Sequence, residues 1–178
     1  GPYQKLAPDW TYVLRGASAS NPGASKIAGY LVAAPDTRDF ERRRLVSCEI
    51  PLFGQVLLGR FERTADAWKF IRRFLLWDPR PKDLFSRALW KELYAKYPAH
   101  LHMNLLPPHR RKGHGSKLVQ RLCADLKNSG VAGVHCICGD QPKPFYENQG
   151  FEVLEEVLVG GRVRLFAMGR RIVPRRDA

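Results

Sequence analysis

No apolar run in these 178 residues approaches the ~18 to 20 needed to cross a bilayer, and the start lacks the basic, apolar, small-residue order of a secretory leader. Both absences favour a soluble, intracellular chain, cytoplasmic with the nucleus also open to it, and no membrane partner. The cysteines are few: Cys48, Cys123, Cys136 and Cys138. They form no paired Cys-x-x-Cys set and meet no histidines at zinc spacing, so no metal site is expected. Cys136 and Cys138 alternate onto one strand face as buried free thiols, which fits a reducing compartment. Internal repeats and low-complexity tracts are also missing. What remains is a chain long enough for a single domain over 1–178, with an ordinary apolar fraction of 44%.

Acid is scarce relative to base. Seventeen Asp and Glu stand against thirty Lys and Arg, a formal net charge of +13. That excess calls for an anionic partner or a tolerance of self-repulsion. The cations are dispersed among Arg42 to Arg44, Arg72–Arg73, Arg110 to Lys112, Arg170–Arg171 and Arg175–Arg176. No helix-turn-helix, zinc finger or aromatic RNA-binding strand accompanies them, so they read mainly as solvated faces. Nucleic acid is not the expected partner.

Residues 10–14 and 27–33 are β-prone and flank a polar SASNPGASK loop, predicting an antiparallel pair. Asp36 or Thr37 can then cap a charged helix. Residues 45–63 show no clear period. Thr64 reads as the cap of a helix over 65–77, and 82–96 as another helix with Leu84, Ala88, Leu89 and Leu93 on one side. The second half alternates: strand 100–106, helix 116–128 with a Gly130 stop, strand 134–138, short helix 145–148, then strands 151–159 and 164–168 joined by Gly160–Gly161. Leu118, Val119, Leu122 and Leu126 give the main helix a buried stripe. Strands followed by strand–helix–strand imply a mixed sheet with helices on its faces.

The stretch RRKGHG, residues 110–115, lies between strand 100–106 and the main helix. A helix N-terminus exposes unpaired N–H groups and a partial positive charge. Glycines there let an anion approach the backbone. Arg110, Arg111 and Lys112 add charge, while Gly113 and Gly115 remove obstructing side chains, so the turn reads as a pyrophosphate cradle. It is neither GxxxxGK[ST] nor GxGxxG, since Leu118 stands where a third glycine would be required.

Arg-x-x-Gly-x-Gly after a strand ending Leu-Leu-Pro resembles the acetyl-coenzyme-A loop of the GNAT superfamily of N-acetyltransferases. FYENQGFE, residues 145–152, is similar to the segment by which those enzymes close their cofactor cleft. IAGYLVAAPDTRDFE and YPAHLHMNLLP further resemble the acetyltransferase-like domain of O-GlcNAcase and its microbial relatives. The resemblance implies an α/β (α+β) fold: a mixed, mostly antiparallel sheet with a splayed central strand pair and helices on both faces. The family's first strand and helices have no counterpart here, so the chain reads as truncated at its N-terminus relative to the family pattern.

What the resemblance implies about the site is equally specific. Acetyl-CoA would be the co-substrate, bound by Leu105, Leu106, Arg110, Arg111, Lys112, Gly113, His114, Gly115 and Ser116, with Tyr146 protonating the leaving thiolate. The acceptor would be a primary amine, on an amino sugar or a protein lysine. Relatives carry an acid where Asn104 stands, and an amide cannot accept a proton as a carboxylate does. His100 and His102 share the Asn104 face by alternation, so either can serve as base, unless it is a satisfied structural histidine. Pro142 and Pro144 replace a helical turn before Phe145–Tyr146, predicting rearranged contacts near the thiol. A polycationic acceptor would need Glu152, Glu155 and Glu156 along its approach. A second expectation is a weak or inactive CoA-binding domain regulating an attached or partner glycoside-processing enzyme. A partner domain or homodimer would complete the substrate wall.

Overall fold

The computed structural model describes residues 1–18, 21–58 and 84–172. The expected helix over 65–77 and its Thr64 cap lie outside them, as do Arg72, Arg73, Arg175 and Arg176. Within them run α1 (Pro2–Leu6), β1 (Thr11–Ser18), β2 (Asn21–Ala34), α2 (Thr37–Arg44), a π-helical stretch (Leu45–Glu49), α3 (Ile50–Leu57), α4 (Arg87–Lys96), β3 (Ala99–Leu105), α5 (His114–Asn128), β4 (Gly133–Gly139), α6 (Lys143–Asn148), β5 (Glu152–Val159) and β6 (Val163–Arg171). The strands form one six-stranded sheet in the order β1-β2-β3-β4-β6-β5. Every neighbouring pair is antiparallel except β3 and β4.

The β1–β2 pair forms as expected but runs longer, because most of the SASNPGASK segment is itself strand, paired as far as Ser18↔Asn21. Asp36 caps α2 by accepting from the Asp39 N–H at 2.9 Å. The helix expected to begin near residue 82 begins at Arg87, where the Ser86 hydroxyl accepts from the Leu89 N–H at 3.0 Å. Leu84 is outside it and exposed, Ala88 is exposed, and Phe85 joins Leu89 and Leu93 in the core. Val119, Leu122, Cys123 and Leu126 of α5 pack on Leu101, Val134 and Cys136 of the central strands. Full burial of a side chain such as Leu122 contributes about 1.5–3 kcal/mol. Gly130, at φ 70, ends α5 as its N–H meets the Lys127 carbonyl. Gly160 and Gly161, at φ 58 and 69, turn the chain from β5 into β6. α1 is unanticipated, and with α2 it supplies a wall over one sheet face: Ala7, Ala34 and Phe40 form its core with Tyr3, Leu6 and Trp10.

One irregularity positions the site. β3 and β4 pair in parallel only at Ala99↔Val134 and His100↔His135. Beyond that point β3 continues with β2 as far as Leu105, and β4 continues with β6 as far as Gly139. The two central strands therefore diverge, as the sequence resemblance implied.

Candidate active site

The divergence leaves one edge of β3 without a strand partner. Leu106 donates its N–H to the Ala28 carbonyl at 2.9 Å. Alternation along an antiparallel ladder then turns the amide groups of Met103 and Leu105 away from β2, toward the gap over β4. This corrects the sequence reading: the Leu106 amide is committed to β2, and Met103, which alternation alone could have flagged, takes its place along the gap. The Leu105 carbonyl is occupied too, accepting from Arg110 Nε at 2.7 Å. Arg110 thus acts as a strut that fixes the turn after β3, while Arg111 and Lys112 remain exposed.

The loop beyond that strut is wound for open amides. Arg111 has φ 56 and Gly113 has φ 76, a left-handed geometry that a non-glycine residue adopts at a cost. Gly113 is the N-cap of α5, with no side chain capping the helix. The first bond of the helix runs from Lys117 N–H to the Gly113 carbonyl at 3.1 Å. The N–H groups of His114, Gly115 and Ser116 precede it and have no intrahelical acceptor. The His114 ring lies 6.2 Å from that of His109.

Gly115 and Ser116 join this loop to the second motif. A Cβ on Gly115 would meet the Phe145 ring at 3.2 Å and Met103 Cε at 3.4 Å. Gln149 Nε2 donates to Ser116 Oγ at 3.1 Å. The two segments read separately in the sequence, 110–115 and 145–152, are thus one packed unit. Pro142 and Pro144 do not replace a turn of helix. Pro142 caps α6 and Pro144 sits in its first turn, where a missing N–H has no helical acceptor to lose.

Tyr146 projects from α6 into the core, 6% exposed, with its ring edge-on to Phe145 and Phe151 at 5.2 and 5.3 Å. Burial, reinforced by nearby Cys136 and Cys138, pushes its pKa well above the usual phenol range, so it stays protonated at any physiological pH. Both thiols are free and buried, and the Cys138 thiol donates to Met168 Sδ at 3.5 Å.

The other face of β3 carries His100, His102 and Asn104. His100 is a satisfied structural histidine. Thr37 Oγ1 donates to the Pro98 carbonyl at 2.7 Å, so its lone pair accepts from His100 Nδ1–H at 2.8 Å. His100 Nε2 is then the acceptor for the Tyr3 hydroxyl at 2.7 Å. Burial, His135, His102 and Arg44 together push its pKa down to about 3. His135 is buried as well and donates Nδ1–H to the Tyr97 carbonyl at 2.6 Å. His102 differs: its ring stands edge-on to Tyr3 and His100, each 5.8 Å away, and it keeps an exposed edge. Crowding by these neighbours, then the Arg44 charge, lowers its pKa from the ordinary imidazole value, so it is a neutral proton acceptor at pH 7. Asn104 is exposed and pairs with Tyr30.

Glu152, Glu155 and Glu156 do not line this face. They lie on β5, the far edge strand, where Glu155 accepts from Ser86 N–H at 2.8 Å and Ser86 Oγ at 2.5 Å, and Glu156 stands 3.9 Å from Arg164. Among the described residues no helix is long and apolar enough to cross a membrane.

The mixed sheet, with its diverging central strands and a turn of uncapped amides leading into α5, is a fold of the GNAT type, the class the comparisons also point to. The model of the family described as Acetyltransferase (GNAT) domain matches residues 86–153, the span from the cap of α4 into β5. SsHAT is 29% identical over 97% of this chain and 77% of that one, with a TM-score of 0.62. A chain of the NatC complex bound to Gag peptide and CoA is 11% identical over 96% of this chain and 76% of that one, at 0.52. Naa20 of Chaetomium thermophilum, in complex with a bisubstrate analogue, is 15% identical over 95% and 69%, at 0.51. At their level of identity the last two speak to fold alone.

Proposed function

We propose that the chain is an acetyl-CoA-dependent N-acetyltransferase that moves an acetyl group to a primary amine by direct attack. The observation that carries this reading is the parting of β3 from β4 after His100↔His135, with the open amides of residues 111–116 at the mouth of the gap. Gly115, set close against Phe145 and Met103, leaves little room for a side chain there. These residues fit a diphosphate: the amides and the α5 dipole attract it, and Arg111 and Lys112 add charge. The gap-facing amides of Met103 and Leu105 suit an extended amide-bearing arm.

In the reaction, the amine nitrogen forms a bond to the acetyl carbonyl carbon and the carbon–sulfur bond breaks. The amine proton passes to His102, directly or through water beside Asn104, and the Tyr146 hydroxyl supplies the proton that the departing thiolate takes up. Burial makes the Tyr146 phenol hold its proton until a thiolate develops beside it, and the proton left on His102 returns through solvent to restore the phenol. The likeness of 27–41 and 97–107 to O-GlcNAcase domains supports a carbohydrate setting. One observation favours a second reading, a CoA-binding domain without turnover: Asn104, exposed on the parting strand, is an amide and offers no carboxylate to take the amine's proton.

The test is free-thiol release from acetyl-CoA with glucosamine and with lysine peptides, beside calorimetry of acetyl-CoA binding. Tyr146→Phe removes one oxygen without altering packing. It should leave binding intact and slow release by at least ~100-fold, the usual contribution of a positioned acid. Undiminished release would remove Tyr146 from the chemistry, and binding without release from the unmodified protein would leave the second reading.

A further inference from the structure

We infer that the acceptor is a weakly basic primary amine, one that arrives largely uncharged at neutral pH, and not the ε-ammonium of lysine. This rests on the acetyltransferase reading and names its substrate class. The ladder register places Thr11, Val32 and His102 in one cross-strand row, and Val13, Tyr30 and Asn104 in the next. Directly paired residues share a face, so these six side chains form the floor beside the parting strands. Every one is neutral. Val13, Tyr30, His102 and Asn104 are exposed there.

The charged and titratable groups facing His102 are Tyr3 from α1, His100 from its own strand, His135 from β4 and Arg44 from α2. Arg44 is cationic and lies 3.1 Å from Glu49, while Glu41 accepts from the Tyr94 hydroxyl at 3.4 Å and acts on Tyr3 and His135. The β5 carboxylates are at the far edge of the sheet. Among the described residues, then, no carboxylate lies on this floor to hold an ammonium or take its proton, and the one base on it is an imidazole.

Such a face cannot compensate for the acceptor's own protonation. At pH 7 an ε-amine of reference pKa ~10.4 is neutral in about one molecule in 2,500, whereas an amine at ~7.7–8.0 is neutral in roughly one in six to one in eleven. The resulting preference is about 200- to 400-fold. Two sources share this chemistry: the α-amine of a peptide, acidified by its carbonyl, and a 2-amino sugar, acidified by ring oxygens.

The experiment measures thiol release by the full chain at saturating acetyl-CoA. The acceptors are glucosamine, a lysine-free peptide with a free α-amine, and an N-acetylated lysine peptide, each corrected for uncatalysed acetylation. One of the first two should exceed the lysine peptide in kcat/KM by at least tenfold at pH 7. The lysine rate should climb nearly tenfold per pH unit to pH 9, while the better acceptor levels off above about pH 8. Asn104→Asp, an exposed and isosteric change, should narrow the ratio by raising the lysine rate. A lysine rate equal to the others at pH 7, or a ratio unmoved in Asn104→Asp, overturns the inference and leaves acetyl transfer standing. Binding of acetyl-CoA with no transfer to any amine overturns both.

Discussion

Lowering the pH from 7.5 to 5.0 should destabilise this protein well before its carboxylates titrate, and His100 is the main reason. Both ring nitrogens of His100 are engaged in the neutral form, Nδ1–H by Thr37 and Nε2 by Tyr3. Protonating Nε2 would set a donor against a hydroxyl that already donates, inside a pocket that leaves the side chain 9% exposed. The folded pKa is pushed down to about 3, from the ordinary 6.5 that applies in the unfolded chain. The unfolded state therefore binds more protons between these values, and folding stability falls as pH falls through 6.5. The contribution is fully present above that value and is lost progressively toward pH 3. From pH 7.5 to 5.0 the loss attributable to His100 is about 2 kcal/mol, and His135, also lowered by burial, steepens it. Urea unfolding at pH 7.5, 6.5, 5.5 and 5.0 measures the slope, and the NMR titration of the His100 ring assigns it. A flat stability across that range, or a His100 ring that titrates above pH 6 in the folded protein, would refute the hydrogen-bond assignment from which the pKa argument follows.

Gly113→Asp places a carboxylate at the mouth of the proposed cradle; nothing lies within 4 Å of its Cβ and aspartate tolerates the left-handed φ 76 at a cost of roughly 1–2 kcal/mol, so the chain should fold while affinity for acetyl-CoA drops at least tenfold by calorimetry. Unchanged affinity would put the diphosphate elsewhere. Glu155→Ala removes both acceptors that hold Ser86 at the start of α4, and should cost about 1–2 kcal/mol in urea unfolding with faster hydrogen exchange at the α4 amides. Gly29→Ala drives a methyl into Leu105 and into the Asn104 carbonyl at 2.8 Å, and should cost about 1–3 kcal/mol, read as a lower Tm.

Local signals were legible in the sequence, and long-range ones were not. The main helix, its Gly130 stop and the glycine hairpin could be read because periodicity and positive φ are properties of neighbouring residues. The turn at 110–115, with its left-handed Gly113 before α5, was legible for the same reason. α1 was missed because PYQKL is too short and too polar to show a period, yet its Tyr3 decides the fate of His100. The commitments of Leu106 and of the Leu105 carbonyl depend on β2 and on the Arg110 side chain folding back, which no pattern announces. The prolines before Tyr146 lie at the cap and in the first turn of α6, where the loss of an N–H is harmless, a placement that depends on where the helix begins and not on the prolines themselves. Glu155 meets Ser86 across 69 positions, so its role as an anchor is a product of the tertiary fold.

The brief meeting of β3 and β4 has a mechanical consequence. The sheet behaves as two leaves, β1-β2-β3 and β4-β6-β5, bound along a spine two rungs long. That spine is clamped at one end, where Tyr97 and Pro98 lend their carbonyls to His135 and Thr37. A molecule lodged between the leaves would stitch their free margins together, so ligation should slow amide exchange in β3 and β4 alike, and bind the book shut from the side opposite its spine.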